Sequence, residues 1–413
     1  MQSPKCATFL DSLRILFLSG RFVGWVVPSL CSRVKLGGRA SIPRTQLKRA
    51  ERSMREAAKD GHTRRENVAT QPLKEHRVFN NPDVVTEGWY PVCKSSKLKP
   101  GKADSFLISH HRVAVWRSAS GEVAAIDAFC PHMGADLGNG KVVDGMIQCY
   151  FHQWCYGKTG ALEKVHCGEM PKNVANRAWP VEEKYGFIWV FSGPKAPYPV
   201  PEPSGLEGQS HASLYLGRAR LYAHHHVMMV GGIDLLHFAT VHKLDVDFGL
   251  KVDEPNPYTV IWKLDGQVPP RGWRGKLANW IIGGKLNYHA KVAGGSVVTL
   301  TYGPELKFSF MNRKVPPLHI LWGGVADHEG ISEVDIFLIA PRKKGFWGFV
   351  TAWSKLMLTI VMLAILRDDD VKAFPHMRFN IGRVMKEDAS VTRMVKFLNG
   401  LPISSWSRNR DDG

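Results

Sequence analysis

The sequence predicts an α+β protein with two successive antiparallel β regions followed by a long apolar helix. Residues 112–117 and 123–128, which are mostly apolar, predict two strands on either side of a Ser-Ala-Ser-Gly turn. Longer alternating runs occupy the second half of the chain, at 286–292, 297–302, 306–311, 319–325 and 332–339. The helix is expected at 346–366, where Lys355 is the only charged residue. A chain of 413 residues with 44% apolar side chains is large enough for two cores.

A proline-rich segment separates the two β regions. Residues 193–203 contain five prolines, directly after a predicted strand at 187–191, and such a segment is typical of an extended linker. The predicted organisation is an extension at 1–77, a first domain at 78–193, a linker at 194–203 and a second domain at 204–405. Residues 406–413 are expected to form a tail.

The N-terminal extension carries much of the positive charge of the chain. Residues 1–77 contain sixteen Lys or Arg and six Asp or Glu, which is ten of the eighteen excess charges. They include an apolar stretch at 13–31, interrupted by Arg21, and a predicted basic helix at 45–59. The pattern allows an organelle-targeting presequence, a membrane-surface anchor or a solvated, partly disordered tail. Nucleic-acid binding is not predicted, because no basic module interleaved with aromatic residues is present.

Two cysteines and two histidines form the first chemical motif. Cys130 and His132 are followed after sixteen residues by Cys149 and His152, a C-x-H-x16-C-x2-H array. Zinc fingers pair Cys with Cys and His with His, whereas here each short segment carries one of each. This arrangement suits a [2Fe-2S] cluster in which one iron takes both thiolates and the other takes both imidazoles. Each pair is expected at the tip of a β-hairpin loop.

A second motif, D-x2-H-x4-H, contains Asp234, His237 and His242. Two imidazoles and one carboxylate on one side of a metal leave positions open for dioxygen and substrate, as in non-haem Fe(II) oxygenases. Five residues advance an ideal helix to about 140° from the starting face. The helix must therefore bulge or end between His237 and His242 if both bind one iron.

Together the two motifs resemble the α-subunit of Rieske non-haem iron oxygenases over roughly residues 78–405. The resemblance implies an all-β Rieske [2Fe-2S] domain followed by a helix-grip, START-like catalytic domain with an antiparallel sheet. It implies that Cys130, His132, Cys149 and His152 hold the cluster. His237, His242 and Asp370 would hold Fe(II), with Asp369 as the alternative carboxylate and Phe374 behind the site.

The same resemblance gives Asp234 the role of a bridge between His237 and His152 of a neighbouring chain, in a homotrimer. Its cofactors would be the Rieske cluster, Fe(II) and O2. A separate NAD(P)H-dependent reductase, with or without a ferredoxin, would supply electrons. This sequence departs from the family pattern at Gln153, where many relatives have Gly, and at Gly231, where Asn is common.

The expected function is that of a terminal oxygenase that mono-oxygenates a bulky apolar alicyclic, steroid-like or aromatic molecule. Ring dihydroxylation, and desaturation or demethylation on the same scaffold, remain alternatives, as does a non-catalytic Rieske electron-transfer protein. The expected location is intracellular, in the cytoplasm, with an organelle or a membrane surface as alternatives. The apolar helix at 346–366 is interpreted as a core helix whose exposed face suits peripheral membrane contact or an apolar substrate.

The remaining cysteines and a histidine run receive structural interpretations. Cys6, Cys31, Cys93, Cys155 and Cys167 show no repeated spacing and are expected to be thiols. In His224-His225-His226, a strand conformation would let only His224 and His226 converge. We expect these rings to pair with backbone or carboxylate groups rather than to bind a metal.

Overall fold

The structure, a computed structural model, describes residues 78–242, 246–311, 313–327, 329–374, 377, 379, 382 and 385–408. This part of the chain forms four antiparallel sheets and five α-helices. The predicted basic helix at 45–59 and the apolar stretch at 13–31 lie outside the described residues.

The first region contains eleven short strands in three sheets. The sheet orders are β1-β11-β10, β2-β3-β4-β9 and β5-β6-β7-β8. The strands are β1 Trp89–Lys94, β2 Lys102–Ile108, β3 His111–Arg117, β4 Val123–Asp127, β5 Lys141–Val143, β6 Met146–Gln148, β7 Cys155–Tyr156, β8 Leu162–Lys164, β9 Ala178–Trp179, β10 Val181–Lys184 and β11 Phe187–Phe191. The strands predicted at 112–117, 123–128 and 187–191 are confirmed.

The second region is one seven-stranded antiparallel sheet with helices inserted between and after its strands. Its order is β12-β18-β17-β16-β15-β14-β13. The strands are β12 His211–Leu221, β13 Asp247–Asn256, β14 Thr259–Gln267, β15 Lys285–Ala293, β16 Val297–Tyr302, β17 Leu318–Ala326 and β18 Ser332–Pro341. The helices are α1 His226–Gly231, α2 Leu235–Thr240, α3 Gly272–Ile282, α4 Phe346–Ala373 and α5 Ala389–Gly400.

One predicted strand, at 306–311, is wrong. The segment makes a single isolated bridge between Lys307 and Lys314 and otherwise folds back over the end of α3, where the Ser309 backbone N–H donates to the Ile281 carbonyl. Pro304 before it and two consecutive prolines after it cannot donate to a ladder, so the alternation of side chains does not produce a strand.

The large sheet has a different partner on each face. On one face Ala352 and Leu356 of α4 and Met394 of α5 join a core with inward-facing residues of the sheet. On the other face Phe337 of β18 packs edge-on against Phe187 of β11, with ring centroids 4.8 Å apart. The Rieske-like region therefore lies against the back of the sheet, while the helices that carry the second motif lie on the front.

The end of the described chain returns to the first region. Ile403 forms a bridge with Thr86, and Trp406, which is 1% exposed, stacks on His111 with ring centroids 5.2 Å apart. Trp406, which the sequence assigned to a tail, thus belongs to a core. The domain boundaries themselves stay predictions.

Candidate metal centres

Two loops with the same hydrogen-bond pattern carry the first motif. In the loop after β4, the Gly134 N–H donates to the Cys130 carbonyl and the Cys130 N–H donates to the Ala135 carbonyl, at 2.8 and 2.9 Å. In the loop after β6, Gln153 and Trp154 make the equivalent bonds with Cys149, at 3.0 and 2.8 Å. Each loop is therefore a tight turn closed on its cysteine.

The loops meet at their tips. Cys130 and Cys149 are 3% and 2% exposed within a core cluster, while His132 is exposed and His152 is half-buried. The two imidazole rings lie with their centroids 4.6 Å apart. A pair of inner thiols and a pair of outer imidazoles is the donor set that a [2Fe-2S] cluster of the Rieske kind requires, so the residues fit this group.

Two aromatic side chains fix the donors. Trp154 stacks on His132 with centroids 4.2 Å apart and planes 7° apart, which holds the imidazole orientation. The Tyr156 hydroxyl lies 3.2 Å from Cys130 Sγ. Burial, together with this contact, raises the pKa of Tyr156, so the phenol keeps its proton and can donate to the sulfur. Sequence reasoning missed Tyr156, since only the folded β7 brings its hydroxyl to the other loop.

The first loop is braced from behind by Asp136. Its carboxylate accepts hydrogen bonds from the Ser105 hydroxyl, from Arg112 Nε at 2.7 Å and from the Gly138 N–H at 2.9 Å. Burial alone would raise the pKa of Asp136, but these donors outweigh it and the pKa lies below its ordinary value. The carboxylate therefore stays ionised and ties the cluster loop to β2 and β3.

The second motif lies where α2 ends. Asp234 is the N-cap of α2, and its Oδ1 accepts from the backbone N–H groups of Leu236 and His237 at 3.0 and 3.3 Å. After Thr240 the His242 N–H donates to the His237 carbonyl at 3.4 Å, a five-residue turn wider than an α-helical one. The predicted end of the helix between the two histidines is confirmed.

This turn brings both imidazoles together. His237 and His242 are 8% and 4% exposed. The centroids of their rings lie 4.6 Å apart, and the ring planes are inclined by 72°. Two buried imidazoles that converge in this way fit two of the three protein ligands of a non-haem Fe(II) site.

The end of α4 reaches the same site. The Phe374 ring lies 5.3 Å from the His237 ring, and it fills the space beside Gly231, where an added Cβ would be 2.4 Å from Phe374 Cζ. Asp369 and Asp370 belong to the last turns of α4, with Asp370 four residues before Phe374. Their side chains lie outside the described residues, so the choice between the two carboxylates stays a prediction.

The three consecutive histidines lie at the junction of β12 and α1 rather than within a strand. The prediction that only His224 and His226 converge is wrong, because neighbouring rings of all three lie 4.2 to 4.6 Å apart. Their partners are backbone groups, as expected. The Gly295 carbonyl lies 2.9 and 3.0 Å from Nε2 of His225 and His226, and His226 Nδ1 accepts from the Asn80 N–H. Burial lowers the pKa of all three imidazoles, which keeps them neutral.

Comparison with known proteins identifies the first domain and the overall fold. The family model of the Rieske [2Fe-2S] domain matches residues 88–176, which include both cluster loops. The crystal structure of dicamba monooxygenase bound to dicamba superposes with a TM-score of 0.52 over 76% of this chain and 97% of that chain, at 16% identity, which shows a shared fold. The chain contains a Rieske [2Fe-2S] domain. The Rieske cluster and Fe(II) are accordingly its cofactors.

Curated relatives are similar to part of the chain. Cholesterol 7-desaturase of Drosophila melanogaster is 31% identical over 179 residues, which is 41% of either chain. The oxygenase component of 3-ketosteroid-9-alpha-monooxygenase of Rhodococcus rhodochrous is 30% identical over 127 residues, which is 30% of this chain and 33% of that protein. The chain thus matches less than half the length of these relatives.

Proposed function

We propose that this protein is the terminal oxygenase component of a Rieske system, which uses O2 and reductase-supplied electrons to mono-oxygenate a bulky apolar alicyclic, steroid-like or aromatic molecule. The convergence of His237, His242 and the Phe374 end of α4 carries this proposal. An electron-transfer protein has no use for a second pair of buried imidazoles on the far side of the sheet from its cluster. Two relatives whose names refer to a sterol and a steroid support the apolar substrate class.

Desaturation of such a substrate is the second candidate. The relative from Drosophila melanogaster is named a cholesterol 7-desaturase, and the same protein ligands serve both outcomes. Turnover with a panel of sterols and aromatic compounds, with the products identified, separates the two candidates. A hydroxylated product supports mono-oxygenation, and a new double bond supports desaturation.

We assign the cluster to Cys130, His132, Cys149 and His152. The cluster would transfer single electrons at the surface of the domain, because its two imidazole ligands face outward. Cys149→Ser should abolish Rieske-type absorption and the low-g electron resonance signal, since serine does not replace a thiolate toward iron. Cys155→Ser is the matched control, because Cys155 is equally buried but outside the motif. A full signal in the Cys149→Ser variant would contradict the assignment.

We assign the mononuclear iron to His237, His242 and Asp370. Asp370→Ala should keep the Rieske spectrum while the iron content falls from about three to about two atoms per chain. Asp369→Ala is its control, one residue away on the same helix. If Asp369→Ala loses the third iron instead, Asp369 is the ligand. If both variants keep about three iron atoms per chain, the carboxylate ligand does not come from α4.

We assign to Asp234 a bridge to His152 of a neighbouring chain, in a homotrimer. Only Oδ1 is used in the α2 cap, and the residue is half-buried rather than enclosed. Around the cluster tips Phe129, Met133, Tyr150 and Phe151 are each more than half exposed, a surface suited to contact with another subunit.

Asp234→Asn keeps the volume and the capping oxygen. It should leave both centres loaded but slow the oxidation of the reduced cluster after rapid mixing with O2 and substrate. Wild-type rates, or a monomeric active protein, would contradict the bridge.

The electron donor that we propose is a separate NAD(P)H-dependent reductase, acting directly or through a ferredoxin. The net charge of +18 would attract an acidic protein partner. We place the protein inside the cell, in the cytoplasm, with an organelle or a membrane surface as alternatives.

A further inference from the structure

Helix α4 presents a broad apolar face to solvent. Its buried side is narrow, with Ala352, Leu356 and Thr359 each at most 1% exposed. The opposite side carries large apolar side chains, among which Trp347 is 75% exposed and Val361 is 56% exposed. At 100° per residue the exposed positions cover more than half of the helix circumference. Soluble proteins seldom leave so many large apolar side chains in one patch without a partner.

A second group of exposed aromatic residues lies at the same end of the large sheet. Strand register places the end of β14, the start of β15, the end of β16, the start of β17 and the end of β18 side by side. Helix α3, the 303–317 segment and the start of α4 all leave the sheet from this end. Trp280 of α3 is 69% exposed and stacks on Phe310, which is 57% exposed.

The charge around these residues has one sign. Residues 268–287, 303–318 and 341–363 contain eleven Lys or Arg and one acidic residue, Glu305. Lys343 and Lys344 are exposed directly before α4, and the Arg342 guanidinium lies 5.7 Å from the Phe349 ring centroid. Exposed tryptophans bordered by lysines and arginines are the side chains that anchor proteins at the interface of an anionic membrane.

We propose that this aromatic surface, formed by the exposed side of α4 with Trp280 and Phe310, docks on an anionic lipid bilayer. The helix lies on the membrane and does not cross it. The window Phe346–Leu363 has a mean hydropathy of 1.5, which by length and composition would suffice for a crossing. Its buried side is part of the core against β12, β17 and β18, so a crossing would pull Ala352 and Leu356 out of that core.

The docked end of the large sheet is also the end at which the chain enters the sheet again after the proposed iron ligands. Strand β13, which follows His242, begins opposite the end of β14, where α3 leaves. Bound in this way, the protein would take an apolar substrate from the bilayer. This consequence rests on the proposed function, whereas the docking itself does not.

Co-sedimentation of the full chain with vesicles tests the docking. Wild-type protein should bind vesicles of phosphatidylcholine containing phosphatidylserine, and bind those of phosphatidylcholine alone more weakly. The variant Trp280→Ser with Trp347→Ser should lower the partition coefficient by about tenfold or more. Lys343→Glu with Lys344→Glu should lower it by a similar factor on the anionic vesicles only. The controls are Leu107→Ser, which removes an exposed apolar residue elsewhere, and Lys99→Glu with Lys102→Glu on the first region.

Three outcomes would overturn the proposal. Binding of both surface variants at the wild-type level would place membrane attachment outside this surface, for example in residues 1–77. Retention in the membrane pellet after alkaline carbonate extraction would show a crossing rather than docking. If the tryptophan variant has a changed oligomeric state in sedimentation but unchanged vesicle binding, the surface is a contact between copies of this chain. Circular dichroism of each variant checks that it is folded. Quenching of wild-type tryptophan fluorescence by brominated lipid should confirm insertion at the interface.

Discussion

Replacing Gly231 by alanine tests whether the end of α4 forms one wall of the proposed iron site. An alanine Cβ would lie 2.4 Å from Cζ of Phe374 and 3.0 Å from both Cε atoms, whereas ordinary contacts begin near 3.4 Å. The Phe374 ring must therefore move by about 1 Å, because the backbone of α1 is held by the sheet on its other side. The φ angle of Gly231 is not positive, so alanine is compatible with the backbone conformation. Only the contact of the added Cβ with Phe374 is unfavourable.

The expected effect is larger on the metal than on the fold. Overpacking of this kind costs about 1–3 kcal/mol of stability. Asp370 lies one helical turn before Phe374, so a displaced ring shifts the predicted carboxylate ligand away from His237 and His242. A misplacement of about 1 Å can lower activity about 100-fold. We expect Gly231→Ala to retain the Rieske spectrum while its mononuclear iron and its turnover fall sharply.

The assay is iron content per chain, combined with the electron resonance signal of the Fe(II)–nitric oxide adduct. Gly232→Ala is the matched control, because its Cβ would meet the Tyr288 hydroxyl at 3.3 Å, a contact that a small shift relieves. Phe374→Leu removes the three clashing ring atoms, so it should restore iron binding to Gly231→Ala. Normal iron binding by Gly231→Ala, or a failure of Phe374→Leu to restore iron binding, would show that the end of α4 does not form a wall of the iron site.

Three further predictions concern the cluster loops. Tyr156→Phe removes the hydroxyl beside Cys130 Sγ and should lower the midpoint potential by about 40 mV for each 1 kcal/mol of differential stabilisation, measured by redox titration of the Rieske signal; an unchanged potential would show that no hydrogen bond forms to the ligand sulfur. Gln153, at φ 59°, adopts a left-handed conformation, so Gln153→Gly should raise stability by about 0.5–1 kcal/mol in chemical denaturation, while Gln153→Ala should give no gain. Arg112→Met should destabilise by about 1 kcal/mol at neutral pH, a value reduced for solvent screening because the Arg112 side chain is 40% exposed. Since the pKa of Asp136 is depressed in the folded state, its contribution is present above the unfolded pKa of about 3.9 and lost as pH falls through the folded pKa, so the difference between wild type and Arg112→Met should vanish in acid.

Much of the candidate site could be proposed from the sequence because its chemistry is local in the chain. The two cluster loops are hairpin turns, in which ligands two or three residues apart must face the same way, so Cys130 with His132 and Cys149 with His152 could be paired before any fold was known. The histidine spacing of the second motif required an interruption of α2 for geometrical reasons alone, and a wide turn is found there. The continuous apolar run of β11 and the alternation of side chains in β16 were enough to predict these two strands.

Other features depend on contacts between distant segments, and only the tertiary structure decided them. The alternating run at 306–311 is no strand, because flanking prolines and its packing on α3 outweigh its periodicity. Trp406 belongs to a core, because the chain end crosses back to His111, some three hundred residues earlier. The proximity of Phe374 to His237 and the space left by Gly231 both follow from how α4 crosses the sheet. Residue pattern thus determined which groups could bind iron, whereas long-range packing decided which side chains surround them, because packing depends on neighbours that no local pattern specifies.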